Sequence, residues 1–186
     1  MTDLKTSSIY PQTASTENLF QAFLPFAMMK YTISRSKHLF LMYRRSADNP
    51  SVNQLQNYLD NSNPFQLQIG NSNLNQALSN RFMVRYIASN PNKATTFFIM
   101  GSVSFDNNYI GSTSDFYRND TLIRGVNLEK GKILSSYANM DGKQNYNLYL
   151  SYAFPVSFIK SNLNLNGGFN LNKIPSLVNS RINLSD

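Results

Sequence analysis

Apolar and polar residues alternate with a period of two along much of this chain. The plainest run is Asn162-Leu163-Asn164-Leu165-Asn166-Gly167-Gly168-Phe169-Asn170-Leu171-Asn172. A β-strand sends successive side chains to opposite faces, so Leu163, Leu165, Phe169 and Leu171 share one face and the asparagines the other. The same alternation predicts five earlier strands. Over 24–34, Ala27, Met29, Tyr31 and Ile33 oppose Lys30 and Thr32; over 38–44, Leu39, Leu41 and Tyr43 share a face. Over 80–88, Phe82, Val84, Tyr86 and Ala88 oppose Arg81, Met83, Arg85 and Ile87. Over 96–106, Phe97, Ile99, Val103 and Phe105 oppose Ser102, Ser104 and Asp106. Residues 131–154 hold the next strand, clearest at Tyr146, Leu148, Leu150, Tyr152 and Phe154.

The connections alternate too. Short links near 35–37, 90–94 and 155–161 are interleaved with long polar stretches at 45–79 and 107–130, where Pro50 and Pro64 act as breakers. Short turns at one end and long loops at the other are the pattern of a transmembrane β-barrel, whose strands turn an apolar face to lipid and a polar one to a wet lumen. The reading is therefore all-β: an antiparallel up-and-down meander forming part of such a barrel. Residues 1–22 read as a loop or poorly ordered lead-in, and 23–186 as the partial barrel of about six strands. A soluble β-sandwich, as a binding or adhesin-like module, shares the alternation and is the alternative, but nothing in it requires the long loops to fall at one end.

Composition narrows the choice of function. No stretch approaches the roughly 18 apolar residues of a membrane helix. Cysteine is absent, which removes disulfides, thiolate metal sites and thiol nucleophiles. The formal charge is +7, yet Lys and Arg are scattered, with no cluster longer than Arg44-Arg45. Nucleic-acid binding needs a basic patch, so no nucleic-acid partner is expected. The first residues lack the apolar core of a secretory signal.

The first long loop carries a more specific pattern. It reads Pro50-Ser51-Val52-Asn53-Gln54-Leu55-Gln56, then Asp60-Asn61-Ser62-Asn63-Pro64, then Gly70-Asn71-Ser72-Asn73-Leu74, after a strand ending in Tyr43-Arg44-Arg45. This resembles the barrel region of Bacteroidetes-type TonB-dependent receptors and the related outer-membrane β-barrel family. There a Pro-Ser/Thr-x-x-Gln-Leu-Gln segment leads to Asp-Asn-x-Asn/Asp-Pro and then Gly-Asn-Pro-x-Leu. Ser72 stands where that family has proline, and Asn75-Gln76 replaces its Lys/Arg-Pro-Glu region. The resemblance implies an outer-membrane location and a role in nutrient uptake. It also implies a barrel of about 22 strands closed by strands beyond this chain, with a plug that an inner-membrane TonB system energises. The signal peptide is expected to lie with that plug. Outer-membrane lipid is the remaining partner, and no cofactor is implied.

Catalysis finds little support. His38 is the single histidine and lies beside a turn, and no Gly-x-Ser-x-Gly elbow is present. Asp106, Asp115 and Asp120 bracket a loop without the spacing of a calcium-binding hand. The chain is not expected to be an enzyme. Tyr43, Tyr86, Tyr146 and Tyr152 fall on the apolar phase, where an interfacial girdle is the expectation rather than sugar stacking. Lys30, Arg44, Arg81 and Arg85 fall on the polar phase. They are the candidate solute-contacting residues, Arg44 and Arg81 near the external mouth. The loop motif, from Pro50 to Leu74, reads as chiefly structural, with tight turns expected at Asn61, Asn63, Gly70 and Asn71.

Overall fold

The computed structural model of the protein describes residues 2–8, 14–63, 65–123 and 125–185. The strands in chain order are β1 (Thr2–Ser8), β2 (Ala14–Phe20), β3 (Phe26–Ser34), β4 (Lys37–Asp48), β5 (Leu59–Asn63), β6 (Gln66–Ile69), β7 (Ala77–Asn90) and β8 (Thr95–Asn107). They continue as β9 (Tyr109–Phe116), β10 (Thr121–Ile123), β11 (Val126–Leu128), β12 (Ile133–Met140), β13 (Lys143–Val156), β14 (Ser161–Val178) and β15 (Arg181–Ser185). A single turn of helix, α1 (Val52–Leu55), is the only α-helix among the described residues.

The six strands expected from the alternation are β3, β4, β7, β8, β13 and β14. They lie side by side in that order, each antiparallel to the next. Up-and-down order puts the three short links at one end of this wall and the two long excursions, 49–76 and 108–142, at the other. Two of the links repeat one design. Pro91–Lys93 and Ser157–Ile159 each form a 3-10 turn, closed by a residue in the left-handed region, Ala94 (φ 50) and Lys160 (φ 47).

The excursions differ from the expected loops. The first builds α1 and the hairpin β5–β6, the second the hairpin β9–β12 with a small β10–β11 hairpin at its tip. These join the wall at the far end of β14 in the order β14-β9-β12-β6-β5. Two of the pairings, β6–β12 and β9–β14, are parallel, so the whole sheet is not a pure up-and-down meander. The expected strand over 131–154 is two strands, divided at Asp141-Gly142, where Gly142 has φ +103 and a side chain would be strained. The tail also departs from expectation. The wall strand β14 runs on past Lys173 and folds back on β15 through Asn179-Ser180, both at positive φ as a tight hairpin requires. Residues 1–22 were expected as a loop, but β1 and β2 pair over seven positions, from Thr2 opposite Phe20 to Ser8 opposite Ala14. Backbone pairing formed these elements where side-chain alternation gave no signal.

The buried apolar core lies in the excursions. Leu55 and Leu128 are fully buried, and Leu67, Leu74 and Met140 nearly so. In the wall the order is reversed: Phe82, Val84, Leu148, Leu150, Leu165 and Phe169, in the middle of long strands, stay 37–59% exposed. A sandwich would bury these residues under a second sheet, and no such layer covers them among the described residues. No helix is long and apolar enough to cross a membrane, which bears only on helices.

Candidate functional site

The strand registers turn the alternation into two faces that run unbroken across the wall, because residues directly opposite in an antiparallel pair point the same way. On one face the central row is Met29, Leu41, Val84, Gly101, Leu148 and Phe169. Toward the excursions the next row is Ala27, Tyr43, Phe82, Val103, Tyr146 and Leu171. Toward the short links come Tyr31, Leu39, Tyr86, Ile99 and Leu150, then Ala88, Phe97, Tyr152 and Leu165 with Lys37 at the end of their row, then Phe154 and Leu163. Beyond Tyr43 the face turns polar, with Arg45, Asn80, Gln144 and Lys173 around Phe105.

This face is thus an apolar band with its aromatics toward both borders and its smallest, most aliphatic row between. On β13 the band runs from Tyr146 to Phe154, roughly 27 Å along a strand at about 3.4 Å per residue. With the tilt of about 40° usual in membrane barrels, it stands roughly 21 Å tall, close to the ~25 Å of a membrane barrel's outer band. Tyr43 and Phe82 lie tilted against each other at 4.7 Å between centroids, and the Tyr43 hydroxyl donates to Asn80 Oδ1 at 2.9 Å on the polar side of the border. An amphipathic ring with its body in the band and its hydroxyl beyond it is what an interface selects. All four tyrosines singled out in the sequence lie on this face. At Gly101 the missing side chain leaves a groove of about 640 Å³ walled by Leu41, Phe82, Val84, Leu148 and Phe169.

The opposite face holds every candidate cation. Arg44 and Arg81 sit directly across from one another, in a row with Phe26, Ser104, Asn145 and Asn172. Lys30 and Arg85 share another row, with Phe40 between them, and the Arg85 guanidinium lies 4.9 Å from the centre of the Phe40 ring. All four cations are exposed, and none is ion-paired to another described residue. Like charges placed directly opposite repel, so the pair is kept at a cost in sheet stability. Nearer the mouth, Lys143 Nζ meets Asp106 Oδ2 at 2.8 Å and lies 4.4 Å from the Tyr109 ring centre. That acid therefore neutralises Lys143 rather than the arginines. His38 lies on the same face, its Nδ1 3.4 Å from Thr32 Oγ1. No group of three or more potential metal ligands occurs among the described residues.

Next to Arg81 the face becomes an amide surface. Asn145 donates to Asn172, Asn172 to Asn170 at 2.6 Å, Asn170 to Asn147, and Asn147 back to Asn145. The four amides close a ring in which each gives one hydrogen bond and accepts one. Each keeps a second N–H and a second lone pair for water or solute. Beside the ring, Gly168 lies opposite Tyr149 and opens a recess of about 510 Å³ lined by Arg81, Met100, Ser102, Asn147, Tyr149 and Asn170. The Tyr149 hydroxyl donates to Asn166 Oδ1 at 3.1 Å. The asparagine alternation was plain in the sequence. The ring was not, because it needs the register that sets Asn145 against Asn172 and Asn147 against Asn170.

The loop motif is built into the cap over this end of the wall. Ser51 and Gln54 form a capping box on α1: Gln54 N–H donates to Ser51 Oγ at 3.3 Å and Ser51 N–H to Gln54 Oε1 at 2.8 Å. Leu55 and Leu74 fill the cap core, and Pro50 is buried. Gln56 N–H closes the helix on Val52 O at 2.9 Å. Gly70 is needed for close approach rather than for its φ: a Cβ there would lie 2.1 Å from Gln56 O and 2.8 Å from Gln54 O. Asn71 then receives a bond on its side chain from Asn73 N–H at 3.0 Å, and its Nδ2 donates to Tyr137 O at 3.0 Å, tying the first excursion to the second. Asn63 Oδ1 accepts from Phe65 N–H at 3.0 Å, and Asp60 Oδ1 from Ser62 N–H at 2.9 Å. That bond and the Ser62 hydroxyl hold the Asp60 carboxyl below its ordinary pKa. Asn61, expected in a tight turn, lies instead inside β5 where the β5–β6 register slips, and Pro64 lies outside the described residues.

Comparison with known proteins agrees with this two-faced wall. The outer membrane protein β-barrel family matches residues 1–186, the full length of the sequence, and the chain belongs to that family. No curated protein matches it.

Proposed function

We propose that this chain, as an outer-membrane β-barrel protein, forms one section of the wall of a pore that admits a polar nutrient, in the manner of a TonB-dependent receptor. The observation that carries the reading is the separation of faces. An apolar band with aromatic borders lies on one side, and arginines, an amide ring and a recess of about 510 Å³ lie on the other. An aqueous lumen keeps Arg44 and Arg81 hydrated, and the unused amide groups replace water around a passing solute one hydrogen bond at a time. The wall needs neighbours. The outer edge of β3, and that of β14 before Lys173, carry no partner strand among the described residues. Open edges are not tolerated in lipid, so the remainder of a larger barrel has to pair with them. Energy coupling through a plug and an inner-membrane TonB system rests on the Pro50–Leu74 motif alone.

The test uses the complete barrel that contains this chain, freed of its plug and reconstituted in liposomes. Swelling rates for a neutral sugar and for its acid and amine analogues report permeation and charge preference. The proposal expects entry in the order acid, neutral, amine. It also expects that order to collapse when Arg44, Arg81 and Arg85 are replaced by glutamine, most visibly at low ionic strength, where charge steering is least screened. Folded barrels that admit none of the three solutes would contradict it.

A further inference from the structure

Charge is distributed unevenly between the two ends of the wall. Every short link carries cations: Arg35 and Lys37 in the first, Lys93 in the second and Lys160 in the third. All four are exposed, and none is ion-paired to a described residue. Between residues 18 and 185 each Asp and Glu falls at the other end, in the excursions or at the strand ends that meet them: Asp48, Asp60, Asp106, Asp115, Asp120, Glu129 and Asp141. The short-link end therefore has no counter-charge of its own. It also carries apolar groups that water does not favour. Phe158 is 88% exposed and Ile159 54%, both immediately before Lys160, and Tyr152 and Phe154 border the band just behind them.

Resting on the reading of the sheet as a membrane wall, we propose that Arg35, Lys37, Lys93 and Lys160 form a collar that binds the headgroups of anionic phospholipids in the leaflet at the short-link end. The geometry divides the work. The apolar band stops at the links, Phe158 and Ile159 enter the interfacial layer, and the cations stand at the level of the phosphates. The repeated 3-10 link puts Lys93 and Lys160 on neighbouring hairpins, because β8 pairs with β13. An aromatic body with a cation beside it is the usual chemistry of an interfacial anchor. Zwitterionic lipid satisfies the apolar groups alone, whereas anionic lipid also supplies the missing counter-charge.

The experiment is flotation of the complete barrel that contains this chain with vesicles of phosphatidylcholine, and with phosphatidylcholine doped with phosphatidylglycerol, at low and high salt. Two variants carry equal changes of charge at opposite ends: Arg35, Lys37, Lys93 and Lys160 to glutamine, and Arg118, Lys130, Lys132 and Arg181 to glutamine. Each basic side chain at an anionic surface contributes roughly fivefold in partitioning. The collar variant should therefore lose about 10²-fold or more of its preference for anionic vesicles at low salt. It should keep its binding to phosphatidylcholine and its strand circular dichroism. The far-end variant should keep the preference. Equal losses in both variants would reduce the effect to net charge and overturn the collar. So would a wild-type barrel that binds both vesicles alike, while leaving the wall reading intact. A complete barrel that enters neither membrane would overturn the wall reading itself, and the collar with it.

Discussion

A single arginine moved along β13 probes the membrane wall at three positions. Leu150 lies four residues from Tyr146 at one border of the band and four from Phe154 at the other, in the row of Leu39, Tyr86 and Ile99. Its side chain is 37% exposed, and that exposed part is what the bilayer core would meet. Leu150→Arg therefore places a guanidinium near the midplane, where it costs about 2–4 kcal/mol on a barrel's lipid face. Gln144→Arg makes the same charge change on the same face, past the Tyr146 border and beside Lys173, where the cost falls to about 0–1 kcal/mol. Ser151→Arg is one residue from Leu150 but faces the lumen, between Phe98 and Asn166. Its cost should stay within the roughly 0.5 kcal/mol of an ordinary exposed substitution. The intact barrel, folded in phosphatidylcholine vesicles, is titrated with urea and followed by strand circular dichroism and protease protection, since this chain has no tryptophan to report. At about 1.4 kcal/mol per decade, Leu150→Arg should lower the folded-to-unfolded ratio by roughly 30- to 1000-fold, and the other two by under tenfold. Equal costs at Leu150 and Ser151 would refute the assignment of faces.

Further outcomes follow from the cap and the lumen. Gly70→Ala drives a methyl group into the backbone carbonyls of Gln54 and Gln56. It should lower the stability of the cap by about 1–3 kcal/mol, read as faster amide exchange at Gln54, Gln56 and Asn71 with the wall unchanged. Ser51→Ala removes the oxygen that receives Gln54 N–H and should cost about 1 kcal/mol by the same measure. The Asp60 carboxyl, lowered in pKa by Ser62, holds its turn at neutral pH and releases it as pH falls through its own folded value. The Ser62 amide resonance should then titrate with a midpoint below that of a free aspartate, and Asp60→Asn should abolish the titration. Asn147→Ala opens the amide ring. It should slow permeation of a neutral sugar through the unplugged barrel while sparing the acid-over-amine preference, which belongs to the arginines.

The wall was legible because half of each strand meets lipid and half meets water, so its faces are written as alternation from Met29 to Leu171. The links were legible through Arg35-Ser36-Lys37 and Asn90-Pro91-Asn92. The excursions were not. Their strands are short and polar, only isolated leucines such as Leu55, Leu67 and Leu128 are buried, and main-chain pairing with distant segments holds them together. Gln66 and Gln68 reach Ser135 and Tyr137 from nearly seventy residues away, a partnership that no local pattern announces. The candidate arginines were found by strand phase. That Arg44 faces Arg81, while Lys143 takes the nearby Asp106, depends on register, as the amide ring does.

Odd and even positions of each wall strand meet different solvents. The chain contains no cysteine, so single cysteines can be introduced one at a time along residues 144–154 of β13. Spin labels on the barrel reconstituted in phosphatidylcholine vesicles then report collisions with oxygen, which concentrates in the bilayer, and with a water-soluble nickel chelate. A wall between lipid and lumen gives a period of two: labels at Tyr146, Leu148, Leu150 and Tyr152 should favour oxygen, and labels at Asn145, Asn147, Tyr149 and Ser151 should favour nickel. The oxygen signal should be strongest at Leu148 and Leu150 and weaken toward Gln144. Labels that favour nickel at every position, or alternate in the opposite phase, would show that the apolar face does not meet lipid.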